Sequence, residues 1–230
     1  LLIQRTPAHP EERFQHSIWF QHFSQLSLVL SRDFLRVLAL QIAFYWFVAN
    51  FLGLVFIAFG KELFPDALEG GAAGAGSEMM LYVGIGLMIG SSIVSIISAK
   101  RIRPELIPLG AIGMALGLIG VCFLTPLSIG SKGCLAFVGF FSGFFVVPLA
   151  SLLQNRAPEE ERGRILAVSN LLNSLSGIIA IGLSFGLSAL KLSASLQTWA
   201  VIAPLIIAFF LALPYLRQRE PTDGGPTTAA

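Results

Sequence analysis

Apolar runs long enough to cross a membrane recur along this chain, and short polar segments separate them. A membrane-spanning helix needs about 20 apolar residues to cross a hydrocarbon core about 30 Å thick. The runs that reach this length are Val37 to Gly60, Met79 to Ala99, Leu106 to Leu124, Gly133 to Leu153, Ile165 to Leu190 and Thr198 to Leu216. Because they lack the alternation of a barrel strand, we predict an all-α, polytopic membrane protein with six transmembrane helices.

Lysine and arginine lie mainly on one side of the predicted membrane domain. Hydrophobic residues make up 55% of the chain and charged residues only 12%, which excludes a soluble domain. Twelve of the 15 lysines and arginines fall on the side that holds both chain ends, and the others are Lys61, Lys132 and Lys191. Positive residues collect on the cytoplasmic side of membrane proteins, so both termini are predicted to be cytoplasmic. The net charge of +2 follows from this topology and gives no indication of nucleic acid binding.

The spans divide the chain into three regions. Residues 1–35 are predicted to be a cytoplasmic arm with an interfacial amphipathic helix, because apolar residues recur at helical spacing around Trp19. Residues 36–216 form the six-helix transmembrane domain, and residues 217–230 form a disordered cytoplasmic tail. The glycine-rich segment 70–76, which follows the first span, predicts a flexible linker.

The first span carries the polar side chains Gln41 and Asn50. At about 100° per residue these two lie on opposite faces of a helix, so they cannot both face one cavity. Trp46 shares a face with Asn50, and Tyr45 shares a face with Gln41. One pair is expected to line a cavity and the other to bond a neighbouring helix, so Gln41, Trp46 and Asn50 are all candidates for a substrate path.

The fifth span carries a stripe of small and polar residues that includes Asn170 and Asn173. In lipid, a row of hydroxyl and amide groups has to face protein or water. Close helix packing is the plain interpretation of the serines and glycines, and cavity lining stays open beside it for the two asparagines. Small residues at the spacing that favours packing also occur in Gly86-x-x-x-Gly90, Gly113-x-x-x-Gly117, Gly139-x-x-x-Gly143 and Gly182-x-x-x-Gly186.

The polarity of the spans follows a repeating order. The first and fourth spans are mixed, the second and fifth are polar, and the third and sixth are almost wholly apolar. This order is typical of an inverted three-plus-three repeat, and it predicts that the third and sixth helices face lipid. Pro148, near the cytoplasmic end of the fourth span, predicts a kink that we expect to act as a hinge.

Charge is concentrated in the segment between the fourth and fifth spans. It contains Arg156, Glu160, Arg162 and Arg164, and the two spans themselves contain no charged residue. Pro158 suits the first position of a helix, so we predict a short helical turn that leads into the fifth span. A solvated hairpin tip is the plain interpretation of this segment. The functional one is a cytoplasmic gate, in which arginine and glutamate make and break ion pairs.

Several short motifs carry a resemblance to a known family. They are Val147-Pro148-Leu149, Leu152-Leu153-Gln154-Asn155-Arg156, Arg162-Gly163-Arg164 with Ala167, Asn170 and Asn173, Pro108-Leu109-Gly110-Ala111-Ile112-Gly113, and Phe44-Tyr45-Trp46-Phe47. Together with the six-span topology, they make the chain resemble the C-terminal six-helix half of a major facilitator superfamily transporter. Within that superfamily it is most similar to the lysophospholipid transporter family, and the likeness extends to about Leu216.

The resemblance implies a secondary transporter that moves an amphipathic, lipid-like substrate by alternating access in a bacterial plasma membrane. It also implies a partner N-terminal six-helix half, with residues 1–35 as the linker between the halves. Arginine at the cytoplasmic mouth suits a phosphate headgroup, so the gate candidates also include Lys100, Arg101 and Arg103. The alternative is that these residues only anchor the loop on the cytoplasmic side. The chain departs from the superfamily in lacking an acidic residue before Lys100, so Glu105 would have to complete an ion-pair latch there.

Other classes of function remain open. Some relatives are fused to acyltransferase domains, so the chain could be the membrane part of a bifunctional phospholipid acyltransferase, or it could transport another small solute. Such a transferase pairs its histidine base with an aspartate five residues later. No aspartate follows at that spacing after His9, His16 or His22, and we therefore predict no enzyme here. Their spacing fits no metal site, and we expect neither a metal nor a cofactor. A scaffold that binds through its small-residue faces would tolerate alanine at Asn170 and Asn173.

Overall fold

The computed structural model describes residues 26, 29, 31–65 and 69–216. Over these ranges the chain forms six helices and no strand. The helices are α1 (Asp33–Leu63), α2 (Glu69–Ile97), α3 (Leu106–Phe123), α4 (Ile129–Arg156), α5 (Arg162–Ala189) and α6 (Ala194–Leu216). Most of the predicted arm and all of the predicted tail, residues 217–230, lie outside the described residues.

Each predicted span corresponds to one of these helices. Five of them, α1 to α5, contain apolar stretches long enough to cross a membrane, and the apolar part of α6 whose side chains are described, Ala194–Ile207, is shorter. The all-α architecture of an integral membrane protein is therefore confirmed. We call the end at which α1 begins the basic end, because the α2–α3 and α4–α5 connections also lie there and carry arginines.

The helix α1 lies at the centre of the bundle. It packs against α2, α4, α5 and α6, while α4 packs against α2 and α3, and α3 packs against α6. The core between them is built of large apolar side chains that are fully buried, such as Phe51, Phe56, Phe145, Leu118 and Leu149. In contrast, α5 has α1 as its main packing partner.

Glycines set the distance between α2 and α4. A Cβ atom at Gly139 or Gly86 would overlap the backbone carbonyl of Val83 or Ala136 on the facing helix. A Cβ at Gly143 would come within 2.6 Å of the backbone nitrogen of Ser91. The two motifs therefore pack against each other, which confirms the packing interpretation for Gly86-x-x-x-Gly90 and Gly139-x-x-x-Gly143. The motif Gly182-x-x-x-Gly186 on α5 differs, since a Cβ at either glycine meets open space.

The prediction of a flexible linker at residues 70–76 is wrong. This segment is helical and forms the start of α2. A Cβ at Gly76 would lie 3.0 Å from the backbone nitrogen of Ile57, and one at Gly60 would overlap the backbone of Ala72. The two helices approach closely at Gly76 and Ala72, where small residues are needed, whereas a Cβ at Gly74 would meet open space.

Burial also differs from the expected order of lipid exposure. Only 17% of the apolar stretch of α2 and 28% of that of α5 is buried, against 50% for α3. The apolar third helix is half buried because Gly110, Gly113 and Gly117 let it pack closely onto α4. The second and fifth helices are thus the most exposed in this chain, rather than the third.

Polar contacts join the helices at the end opposite to the basic end. The backbone N–H of Ala194, at the start of α6, donates to Oε1 of Glu62 at 2.7 Å. Between α2 and α4, Nζ of Lys132 lies 2.8 Å from Oε1 of Glu78 and stacks over the ring of Tyr82. These contacts fix how α1, α2, α4 and α6 meet at this end.

Candidate functional site

The two faces of α1 have different surroundings. Gln41, which is 8% exposed, and Tyr45 lie on the buried face. The Tyr45 ring packs on Phe145 of α4 with 6.3 Å between centroids. Trp46, which is 44% exposed, lies on the opposite, open face with Asn50.

The stripe on α5 divides into a packed part and an open part. Ser169, Ser176 and Ser184 are buried on the side that packs against α1, which fits the packing interpretation for the serines. Asn170 is exposed and Asn173 is half-buried. The amides therefore lie at the border between the α1 contact and the open surface.

Asn50 sets the register between α1 and α5. A Cβ at Gly177 would lie 3.5 Å from Nδ2 of Asn50, so these two residues are level with each other. Both helices begin at the basic end, where Arg32 before α1 contacts Glu161 before α5, so they run in the same direction. One turn closer to that end, Trp46 on α1 and Asn173 on α5 are therefore level as well.

We call this surface the α1–α5 groove; its residues are Trp46, Asn50, Asn170, Asn173 and Gly177. The structure thus brings four of the five predicted path residues to one surface, and it places Gln41 on the buried face of α1. No charged residue occurs in the spans that contribute to the groove, 37–60 and 165–190. Among the described residues, no cluster of histidine, cysteine, aspartate or glutamate could hold a metal ion.

The hydrogen bonding of the groove is incomplete. Nδ2 of Asn50 donates to the backbone carbonyl of Trp46 at 2.7 Å, which holds the amide against its own helix. Oδ1 of Asn173 is buried and accepts no hydrogen bond within the part of the chain that is described. Buried polar atoms are normally satisfied, because losing water without gaining a partner costs free energy. The Asn173 oxygen is therefore a buried acceptor beside the groove that no described donor satisfies.

At the basic end, two contacts fasten the α4–α5 connection to the start of α1. An amino group of Arg32 lies 2.7 Å from a carboxylate oxygen of Glu161, and the Arg156 guanidinium lies 5.5 Å from the ring centre of Phe34. We call this pair of contacts the basic-end clamp. Of the predicted gate residues, Arg156 takes part in it.

The other gate candidates are exposed to solvent. They are Glu160, Arg162, Arg164, Lys100, Arg101 and Arg103. Glu105 is exposed as well, and among the described residues it has no ion-pair partner, so it does not complete a latch with Lys100 in this conformation. Pro148 is buried within α4, and the helix continues on both sides of it.

Pro158 does not begin a helix, which corrects the sequence prediction. The N–H of Glu161 donates to the carbonyl of Pro158 at 3.0 Å, which closes a turn, and α5 begins at Arg162. Glu161 is instead the N-cap of α5, and its carbonyl accepts the N–H of Ile165 at 3.0 Å.

A sequence profile of the Major Facilitator Superfamily matches residues 1–181, which is most of the chain. The chain belongs to this superfamily. Among curated proteins, this superfamily member is similar to the lysophospholipid transporter LplT of Klebsiella pneumoniae, with 32% identity over 108 residues. That match covers 45% of the chain and 25% of the relative, so the matched region spans a quarter of the relative's length. No solved structure gave a significant match.

The structure of this major facilitator chain adds residues that the sequence did not indicate. Arg32, Phe34 and Glu161 form the basic-end clamp with Arg156. Gly177, which completes the α1–α5 groove, already belongs to the small and polar stripe that the sequence shows on the fifth span. The partners in the clamp are far apart in the sequence, and nothing in a single sequence pairs Arg32 with Glu161 rather than with Glu160.

Proposed function

We propose that this chain is the C-terminal six-helix half of a major facilitator transporter and that it moves lysophospholipid across the membrane by alternating access. The observation that carries the proposal is the α1–α5 groove, where an aromatic ring and three amides meet on a surface without charge. A groove of this kind suits the uncharged glycerol part of an amphipathic substrate.

The surroundings of the groove suit an acyl chain. On α5, Ile181, one turn beyond Gly177 on the same side of the helix, is 46% exposed. An apolar side chain that continues the side of the helix with the amides suits a molecule that is polar at one end and apolar at the other. The name of the similar curated protein, a lysophospholipid transporter, points to the same substrate class.

Helix packing supports the inverted three-plus-three repeat that we propose for residues 36–216. In such a repeat α1 corresponds to α4, α2 to α5 and α3 to α6. The packing of α1 on α5 then corresponds to the packing of α4 on α2. The packing of α4 on α3 likewise corresponds to that of α1 on α6. The α1–α2 contact has no counterpart of similar extent between α4 and α5, so the correspondence is approximate.

The partner of this unit in our proposal is an N-terminal six-helix half, embedded in the same bilayer and connected through residues 1–35. The large exposed surfaces of α2 and α5 are available to such a half. We propose that both termini, including a disordered tail at residues 217–230, are cytoplasmic in a bacterial inner membrane. Positive residues at the basic end support this orientation.

The basic end would form the cytoplasmic mouth of the path. Arg156, Arg162, Arg164, Lys100, Arg101 and Arg103 would attract a phosphate headgroup there, with Glu160 as a mobile counter-charge. Pro148 removes one backbone hydrogen bond from α4, which would let the helix bend when the mouth opens. No Asp, Glu, Lys or Arg lies in the six predicted spans, so this half offers no internal proton relay.

Uptake of radiolabelled lysophospholipid into vesicles that contain the full-length protein tests the proposal. We expect Asn170→Ala and Asn173→Ala to lower uptake by about tenfold each, which corresponds to the loss of one good hydrogen bond. Gln154→Ala, which removes an exposed amide at the basic end, is the matched control and should leave uptake unchanged. Failure of the unsubstituted protein to take up any lysophospholipid would refute the substrate assignment.

A further inference from the structure

Two amides of the α1–α5 groove have hydrogen-bonding capacity that the protein leaves unused. Asn50 has two side-chain N–H groups, and within the described part of the chain Nδ2 makes one bond, to the Trp46 carbonyl. Asn173 has the opposite need, because its Oδ1 lacks a donor among the described residues. A single ligand group that donates one hydrogen bond and accepts another could therefore bond both amides.

A half-turn of the Asn173 amide would expose its buried oxygen to the groove. Asn50 shows how an amide fits on these helices, with its nitrogen on the carbonyl four residues earlier. Asn173 can adopt the same arrangement on the Ser169 carbonyl by turning about its terminal torsion, which is broad and costs little. Its oxygen would then face the groove one helical turn, about 5.4 Å along the axis, from the level of Asn50.

A hydroxyl group has the properties that this site lacks. It donates one hydrogen bond and accepts others, so it can donate to Oδ1 of Asn173 and accept the second N–H of Asn50. A phosphate or an ester carbonyl only accepts and would leave the Asn173 oxygen unpaired. A lysophospholipid differs from a diacyl phospholipid in such a group, since a free glycerol hydroxyl replaces the second acyl ester.

We propose that Asn50 and Asn173 recognise the free glycerol hydroxyl and thereby select lysophospholipids over lipids in which that oxygen is blocked. The inference rests on the proposed transport of lysophospholipid and names the group by which the substrate is distinguished. Asn170, which is exposed one turn closer to the basic end, is not part of this recognition. Gly177 contributes by leaving room beside Asn50 for the hydroxyl.

Competition binding to the full-length protein in nanodiscs tests this proposal. The probes are a 1-acyl lysophospholipid, its 2-deoxy analogue and its 2-O-methyl ether, each displacing a fluorescent lysophospholipid. We expect the natural lipid to bind about tenfold more tightly than either analogue, because a site built around a hydroxyl is left unpaired without it. Asn50→Ala and Asn173→Ala should each bring this ratio close to one by weakening only the natural lipid.

Two further variants keep the result interpretable. Asn173→Ser retains a hydrogen-bonding oxygen and should keep part of the preference for the natural lipid over its analogues. A variant that had lost its fold would keep none of this preference. Gln154→Ala should keep the full ratio. Equal binding of the three lipids to the unsubstituted protein, or an unchanged ratio in both asparagine variants, would overturn the proposal while the transport function stands. No binding of the natural lipid would refute both.

Discussion

At the scale of single residues, a helix interface that depends on glycine tolerates no side chain. The facing backbone lies so close to Gly139 and Gly86 that even a methyl group overlaps a carbonyl. We expect Gly139→Ala and Gly86→Ala to destabilise the protein by about 1–3 kcal/mol, because α2 and α4 must move apart. Gly182→Ala, at a position with open space, should leave the melting temperature in detergent unchanged. An equal loss in all three variants would contradict the interface.

Residue spacing was also the most reliable basis for prediction from the sequence. The separation of Gln41 and Tyr45 from Trp46 and Asn50 follows from helix periodicity alone, and the structure places the two pairs on opposite faces. Segment 70–76 could not be judged in the same way. Glycine is compatible with both a flexible linker and a tight helix contact, and the choice depends on the backbone of α1, which the local sequence does not specify.

At the scale of helices and their connections, the basic-end clamp ties α5 to α1. Its ion pair is partly exposed, with side chains 40% and 25% accessible for Arg32 and Glu161, so we expect it to contribute about 0.5–1 kcal/mol. Arg32→Glu and Glu161→Arg should each lower the melting temperature, and the double swap should restore most of the loss. The difference should shrink at 1 M salt, because a partly exposed pair is screened.

The control for the clamp is Glu160→Arg. Glu160 is the neighbouring carboxylate, it is exposed, and it was the gate candidate in the sequence. Its reversal should change stability by much less than the reversal of Glu161. Equal effects at the two positions would mean that general charge at this end matters and that the specific pair does not.

The helices themselves were predictable because each span is long, apolar and bounded by charge. Which helices pack against each other was less predictable, because packing depends on contacts between small residues that are far apart in the sequence. The motif at Gly113 and Gly117 faces α4, whereas the motif at Gly182 and Gly186 faces open space, although both have the same spacing. Only the path of the neighbouring helices distinguishes them.

At the scale of the whole molecule, the open surface of α5 is expected to be covered by the proposed N-terminal half. Ile181 continues the groove face, and Leu116 of α3 is 57% exposed elsewhere on the bundle. After Cys122 and Cys134 are replaced by alanine, a cysteine at Ile181 should react with a membrane-permeant maleimide in the chain alone. It should react at least fivefold more slowly when the other half is co-expressed.

A cysteine at Leu116 is the matched control, since we expect lipid to surround it in both cases. Its reaction rate should be the same with and without the other half. If Ile181→Cys keeps its reactivity on co-expression, the α5 surface faces lipid, and the arrangement of halves that we propose is wrong.

The bond between Glu62 and Ala194 has a consequence for the order of assembly in the membrane. Ser193 satisfies one N–H of the first turn of α6 locally, but the N–H of Ala194 depends on a carboxylate at the far end of α1. The ribosome delivers α1 long before α6, so this bond closes only when α6 arrives beside α1. We therefore expect the Glu62 side chain to stabilise the packing of α6 against α1 only after α6 has inserted next to it.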